Sequence, residues 1–298
     1  DDTDTWGWQY SELAGCYFYA RWQARDADDT YIPLPQTNWA SVEWRQEAER
    51  IVRFWMDTGI DGMLIDAPLC YLWQTWEHNR LHITEVAKGY GDVYIQPEGG
   101  RDEAWMTEAG YNSIQDYRID LSALETGDPS PIEPSLRNYH DRMVAVGGAL
   151  YRNVEVIEDV AKRHLERALY AGIGDILAYS RRTGGPDEEE SWILRMKKLH
   201  PALHQFGWRR KLATAADDKH YAFVKTAADG SERVLVVMNF QSEPQTVSVD
   251  LGVVETSGLM DLRTCELIPR ENVFEPLVIE LPAYGYRFYQ VFPARGER

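Results

Sequence analysis

The stretch Gly59-Ile60-Asp61-Gly62-Met63-Leu64-Ile65-Asp66-Ala67-Pro68 decides how this chain reads. A glycine-containing turn feeds a short apolar run that ends in one carboxylate. A carboxylate at the end of a buried strand is costly unless it does chemistry. Two further runs repeat the pattern: Asp92-Val93-Tyr94-Ile95-Gln96-Pro97-Glu98-Gly99-Gly100 and Asn153-Val154-Glu155-Val156-Ile157-Glu158-Asp159. Three apolar runs, each closed by an acid, predict carboxylates converging at the C-terminal face of a parallel sheet, where α/β barrels keep their active sites.

Outward from these runs, strands and helices alternate over about the first two hundred residues. Val42, Ala48, Ile51, Val52 and Trp55 recur at helical spacing and predict a helix over 41–58. Further helices are expected over 71–89, 131–149, 160–171 and 188–206, with strands at 113–119, 153–158 and 176–179. This βαβα order predicts a parallel sheet or barrel with right-handed crossovers. From Lys219 onward the period changes to short strands separated by polar turns, including Ala228-Asp229-Gly230-Ser231. Strands at 220–226, 233–240, 246–251, 277–281 and 286–292 predict an antiparallel β-sandwich. The expected division is a barrel portion over 1–206 and a β-sandwich over 207–298.

Composition narrows the function. The chain has 298 residues and a net charge of −17, which argues against nucleic acid or an anionic membrane surface as a partner and is indifferent to a neutral substrate. No apolar run is long enough to span a bilayer. Eleven Trp and seventeen Tyr offer flat faces that suit sugar rings, although most are expected in the core. Cys16, Cys70 and Cys265 are widely spaced and show no metal-ligand pattern, so they read as free buried thiols, and no metal or other cofactor is expected.

The approach Leu34-Pro35-Gln36-Thr37-Asn38-Trp39, and Phe54-Trp55-Met56-Asp57-Thr58-Gly59-Ile60-Asp61-Gly62-Met63-Leu64-Ile65-Asp66-Ala67 after it, resemble the α-amylase superfamily, glycoside hydrolase family 13. That family carries an "LN-W" approach and then "RFWLDKGVDGFRIDA". The resemblance implies that Asp66 is the nucleophile, Glu98 the general acid/base, and Asp159 the acid that steadies an oxocarbenium-like transition state. It implies the second part of a (β/α)8 barrel followed by the family's C-terminal β-sandwich, seen in Arg233-Val234-Leu235-Val236-Val237-Met238-Asn239-Phe240 and Leu281-Pro282-Ala283-Tyr284-Gly285-Tyr286. The partner it implies is a neutral α-glucoside or oligosaccharide. Retaining glycosidases need two carboxyls about 5–5.5 Å apart, one ionised and one protonated, and adjacent barrel strands can supply them.

Two positions depart from the pattern. Leu64 stands where the family has Arg two residues before the nucleophile, and Glu158 stands where the family has the sugar-contacting His of "NHD". Asn138-Tyr139-His140-Asp141 mimics "NHD", but it lies in a helical stretch, so His140 reads as a helix-surface residue. The family's first three barrel strands, its "DxxxNH" motif and its inserted domain have no counterpart. The chain is then a fragment, or a partner polypeptide supplies the rest, or the missing half is not included. Half a barrel alone would expose a parallel edge. Two functions stand: an enzyme hydrolysing or transferring α-glucosides, or a degenerate relative serving as a carbohydrate-binding or protein-interaction module.

Overall fold

The computed structural model describes residues 7–25, 31–66, 68, 75–98, 103–115, 122–142, 149–153, 157–173, 175–177, 186–204, 206–252, 254, 256–270, 272 and 275–293. The chain divides into two compact units, Asp1–Gln115 and Asp116–Arg298.

The first unit opens with a three-stranded antiparallel sheet in the order β1 (Gly7–Ser11), β2 (Cys16–Arg25), β3 (Tyr31–Pro35). The β1–β2 turn closes on Ser11, whose carbonyl accepts from the Gly15 amide at 2.8 Å while its hydroxyl accepts from the Ala14 amide at 3.1 Å. Helix α1 (Val42–Asp57) starts where the Ser41 hydroxyl accepts from the Trp44 amide, one of the orphan donors of a helix N-terminus. It stops at Gly59, whose φ of +83° suits the left-handed exit of a helix. The buried row is Ala48, Val52 and Met56. Val42, Ile51 and Trp55, expected on the inner face, are instead exposed.

β4 (Gly62–Ile65) pairs in parallel with β5 (Tyr94–Pro97). The connection contains α2 (Thr75–Asn79), a π-helical turn over Arg80–Thr84, and α3 (Glu85–Lys88). Helix α4 (Glu103–Glu108) and β6 (Ser113–Gln115) complete the unit. The strand expected over 113–119 is present over 113–115, and its remainder lies outside the described residues.

In the second unit, α5 (Ala123–Thr126) and α6 (Ile132–Ser135) precede a π-helical turn over Leu136–His140. β7 (Ala149–Asn153) pairs in parallel with β8 (Asp175–Leu177). The strand begins at 149, which belongs to it rather than to the preceding helix, and residues 154–156 of the strand expected at 153–158 lie outside the described residues. Helix α7 (Val160–Ile173) buries nearly its whole C-terminal half. Helix α8 (Glu188–Leu199) opens with a capping box between Asp187 and Glu190 and ends well before 206, at a turn carrying Pro201. The parallel pairs are separate ladders, and no closed barrel is present among the described residues.

The C-terminal part is antiparallel: a six-stranded sheet in the order β14-β13-β16-β11-β10-β9, and a two-stranded sheet of β12 and β15. These strands span Trp208–Leu212 (β9), His220–Thr226 (β10), Arg233–Asn239 (β11), Gln245–Val249 (β12), Gly258–Asp261 (β13), Leu267–Pro269 (β14), Leu277–Leu281 (β15) and Tyr286–Phe292 (β16). Alternate residues face a common core: Ala222 and Val224 of β10, Leu235 and Val237 of β11, Val247 and Val249 of β12, and Leu277, Ile279 and Leu281 of β15. The period-two alternation that defines such strands is what presents these side chains together. On the other side of the six-stranded sheet, Phe223 meets α7, where a Cβ added at Gly172 would lie 2.6 Å from the ring.

Candidate active site

β4 and β5 run in register with Gly62 opposite Tyr94, Leu64 opposite Gln96 and Ile65 opposite Pro97. The ladder continues at both ends. Tyr94 donates its amide to the Asp61 carbonyl at 3.1 Å, and Glu98 donates its amide to the Ile65 carbonyl at 2.7 Å. One step further along this register, Asp66 lies opposite Glu98. Side chains alternate between faces, so Gly62, Leu64 and Asp66 share one face of β4, and Tyr94, Gln96 and Glu98 share the same face of β5. The structure thus brings two of the expected acids to neighbouring strand ends.

Asp66 is exposed and Glu98 half-buried. Leu64, two residues before Asp66 on its face, is 40% exposed, whereas its partner Gln96 is buried. Leucine offers no hydrogen bond to a carboxylate, so Gln96 is the polar side chain that this row of the face provides. It stands out in the sequence as the one amide within Tyr94-Ile95-Gln96-Pro97, a signal that the motif reading passed over.

The segment after Asp66 is held from the helical connection. Asn79, fully buried, donates from Nδ2 to the Pro68 carbonyl at 3.4 Å, and its Oδ1 accepts from the Tyr111 hydroxyl at 2.6 Å. β5 is braced similarly: Asn112 accepts the Ile95 amide on its side chain and donates its own amide to the Ile95 carbonyl, both at 2.8 Å. Trp39 of the "LN-W" stretch is buried and stacks on His78 and His82, with ring centroids 5.9 and 6.2 Å away. Burial, with Arg45 and His82 nearby, holds His78 below the usual imidazole range. These are positioning residues that sequence reasoning did not single out, apart from Trp39.

Asp159 lies in the second unit, and its local role is visible. Its Oδ1 accepts from the amides of Ala161 at 2.9 Å and Lys162 at 3.1 Å, and its carbonyl accepts from Arg163, so it is the N-cap of α7. Glu158 and Asp159 are both exposed. Arg163, nearly fully buried, anchors the segment before them by donating to the Ile157 carbonyl at 3.3 Å. It also pairs with Asp187 at 3.1 Å and Glu190 at 3.0 Å. Burial pushes the Asp187 carboxyl up. The Glu190 amide, His164 and Arg163 outweigh it and hold the group at about 2.

His140 departs from expectation. It is 2% exposed rather than on a helix surface, and burial lowers its pKa although Asp141 at 3.1 Å opposes this. Asp141 in turn pairs with buried Arg209, which also binds Glu133, itself hydrogen-bonded by the Tyr221 hydroxyl at 2.7 Å. The "NHD"-like quartet is therefore part of an ionic network within the second unit. Cys16 and Cys265, expected to be buried, are exposed free thiols, and Cys70 lies outside the described residues. Among the described residues no cluster of three or more His, Cys, Asp or Glu could hold a metal ion, and no helix is long and apolar enough to cross a membrane.

Known proteins share both the C-terminal sequence and the fold. Residues 211–288 match the maltogenic amylase C-terminal domain. A cyclomaltodextrinase of Geobacillus thermopakistaniensis is 24% identical over 312 residues, spanning 88% of this chain and 50% of that protein. A probable oligo-1,6-glucosidase of Bacillus subtilis is 27% identical over 126 residues, 42% of this chain and 20% of that protein. The chain thus spans half or less of the length of these curated relatives. An α-amylase of Anoxybacillus superposes with a TM-score of 0.69 at 16% identity, covering 89% of this chain and 66% of that one. An α-amylase of Geobacillus thermoleovorans, solved with acarbose, gives 0.69 at 14% identity, covering 92% and 71%. A mixed α/β region with parallel strands, followed by an antiparallel β-sheet domain, matches these α-amylase structures. In sequence over residues 211–288, and in fold over most of its length, the chain is similar to the α-amylases of glycoside hydrolase family 13.

Proposed function

We propose that this chain carries the later part of the (β/α)8 catalytic barrel over 1–206 and the C-terminal β-sandwich over 207–298 of a retaining α-glucoside hydrolase or transglycosylase. The observation that supports it is the β4–β5 register, which sets Asp66 beside Glu98 at the ends of two adjacent parallel strands. Neighbouring parallel strands lie about 4.8 Å apart, and retaining enzymes need carboxyls about 5–5.5 Å apart. Asp66 attacks the anomeric carbon while Glu98 protonates the departing glycosidic oxygen. Glu98 then takes a proton from the water, or the acceptor sugar hydroxyl, that displaces Asp66. Asp159 steadies the positive charge on the sugar, and Glu158 contacts its hydroxyls. The rest of the barrel comes from another part of a longer polypeptide or from a partner chain.

A second reading has its own support. Leu64 removes a hydrogen-bond donor from the nucleophile's face, and Asp159 already caps a helix, as in a relative that keeps the fold for carbohydrate recognition. Turnover of p-nitrophenyl α-glucoside, maltose and sucrose by the full-length protein separates the two. Turnover that vanishes in Asp66→Asn and Glu98→Gln is the expected result. No turnover by the wild type alongside measurable sugar binding would establish the second reading.

A further inference from the structure

The hairpin of β1 and β2 turns its largest aromatic rings to solvent. Along β1 the burial alternates strictly, with Gly7, Gln9 and Ser11 partly covered and Trp8 and Tyr10 exposed. The register places Trp8 opposite Tyr19 and Tyr10 opposite Tyr17, so all four aromatic rings lie on one face. Trp8, Tyr10 and Tyr17 are 68, 54 and 69% exposed, while Ala20, opposite Gly7, is fully buried. An antiparallel strand with one wet face ordinarily turns its apolar residues inward and its polar ones outward. Here the face opposite the rings carries Gly7, Gln9 and Ser11 of β1 with Cys16, Phe18 and Ala20 of β2, while Trp8, Tyr10 and Tyr17 point to solvent. Contiguous exposed apolar patches mark binding surfaces.

The rings form an ordered platform. Tyr10 and Tyr17 pack with centroids 5.0 Å apart at 59°, and Trp8 and Tyr19 pack 5.7 Å apart at 76°. The two cross-strand pairs succeed each other along the hairpin at about 6.8 Å, two strand steps. Three phenolic hydroxyls and one indole N–H rim the apolar faces. A sugar ring has the matching chemistry, with an apolar C–H face and hydroxyls around its edge.

Charge decides against the other stacking ligands. Between Gly7 and Ala20 the one charged residue is Glu12, and the chain carries −17 overall. Platforms for single-stranded nucleic acid combine stacking rings with cations along the backbone track, and this stretch supplies none.

We propose that the outward face of the β1–β2 hairpin is a carbohydrate-docking platform, separate from the Asp66–Glu98 pair, that seats consecutive units of a neutral oligosaccharide on Trp8, Tyr10, Tyr17 and Tyr19. The choice of α-glucan as the probe rests on the reading under Proposed function. The platform itself does not require a working nucleophile.

Native affinity electrophoresis of the full-length protein in gels containing soluble starch tests this. The wild type, Trp8→Ala/Tyr17→Ala, Trp8→Phe/Tyr17→Phe and Asp66→Asn are compared. The wild type is expected to be retarded, and the alanine pair to bind about tenfold more weakly, the scale of losing one interface anchor. The phenylalanine pair, which keeps the rings, and Asp66→Asn are expected to stay retarded. Should the alanine pair fail to fold, Trp8→Ala alone carries the comparison. Unchanged retardation of the alanine variants would overturn the proposal. So would retardation lost in Asp66→Asn and kept in the alanine pair, which would seat the glucan at β4–β5. A wild type that is not retarded overturns it too, as would an alanine pair whose light-scattering mass falls from dimer to monomer, which would make the face a contact between copies.

Discussion

Gly62→Ala puts the β4–β5 register to its sharpest test. Gly62 opens β4 opposite Tyr94, and a Cβ built there would sit 2.2 Å from the Tyr94 carbonyl oxygen, 3.1 Å from its carbonyl carbon and 3.3 Å from its Cβ. The obstacle is backbone, so no rotamer change relieves it. Reaching the 3.0 Å floor of real Cβ contacts from 2.2 Å requires the strands to open there by at least 0.8 Å. Overpacking of this kind costs about 1–3 kcal/mol. The opening also tilts β4 against β5 and changes the Asp66–Glu98 separation, and a misplacement near 1 Å costs about 10²-fold in turnover. Gly59→Ala is the matched control. Gly59 has φ of +83° and nothing within 4 Å of an added Cβ, so alanine there strains only its own backbone, at about 1–2 kcal/mol. Urea midpoints and turnover of p-nitrophenyl α-glucoside, measured on the full-length protein, give the two readouts. Both variants are expected to lose stability, with Gly62→Ala alone losing about 10²-fold in kcat. Equal turnover in the two variants would refute the argument that this register sets the carboxylate pair.

The second unit supports three further expectations. Arg209→Met leaves Glu133 and Asp141 without their cation, and loss of one partner from a buried ion pair costs about 3–5 kcal/mol, read as a lower urea midpoint with unchanged slope. Asp159→Ala removes the α7 cap at about 0.5–2 kcal/mol, whereas Asp159→Asn keeps a capping oxygen; loss of turnover in the Asn variant at full thermal stability would separate a catalytic role from the structural one. Asp187 is depressed from 3.8 to about 2, so its contribution is complete above pH ~4 and disappears as the pH falls through the folded value. The Tm gap between wild type and Asp187→Asn is expected to be constant from pH 7 to 5 and to close between pH 4 and 2.

Where local pattern governs, the sequence is legible. β10, β15 and β16 fall on the expected residues because strict alternation and polar turns bound them. In the β10–β11 turn, Asp229 accepts from the amide and hydroxyl of Ser231, and Gly230 takes φ of +73°. The elements that differ from expectation are those that break the period. The π-helical turn over Leu136–His140 adds a residue to the helical repeat, rotating the residues beyond it by about 100° relative to a 3.6-residue reading. The β1–β2 hairpin alternates, but with its largest rings toward solvent, so a search for inward-facing residues passes over it. The strand expected at 153–158 rests on the apolar run Val154-Glu155-Val156-Ile157, of which 154–156 lie outside the described residues, and the pairing with β8 falls on Tyr151–Asn153.

The three expected acids show how far sequence reasoning reaches. Each stands out because an apolar run ends in it, yet the structure gives them different standing. Asp159 is explained by a contact three residues long, the commonest fate of an aspartate before a helix. Asp66 beside Glu98 is an arrangement between two strands. The two are 32 positions apart in sequence, and their adjacency depends on a register that the Asp61–Tyr94 and Ile65–Glu98 backbone bonds hold at both ends. Because the side-chain period of a strand is two, a slip of one residue would send Asp66 to the opposite face from Glu98. The same arithmetic places Leu64 on the carboxylates' face and makes Gln96, rather than a residue of β4, the polar neighbour there.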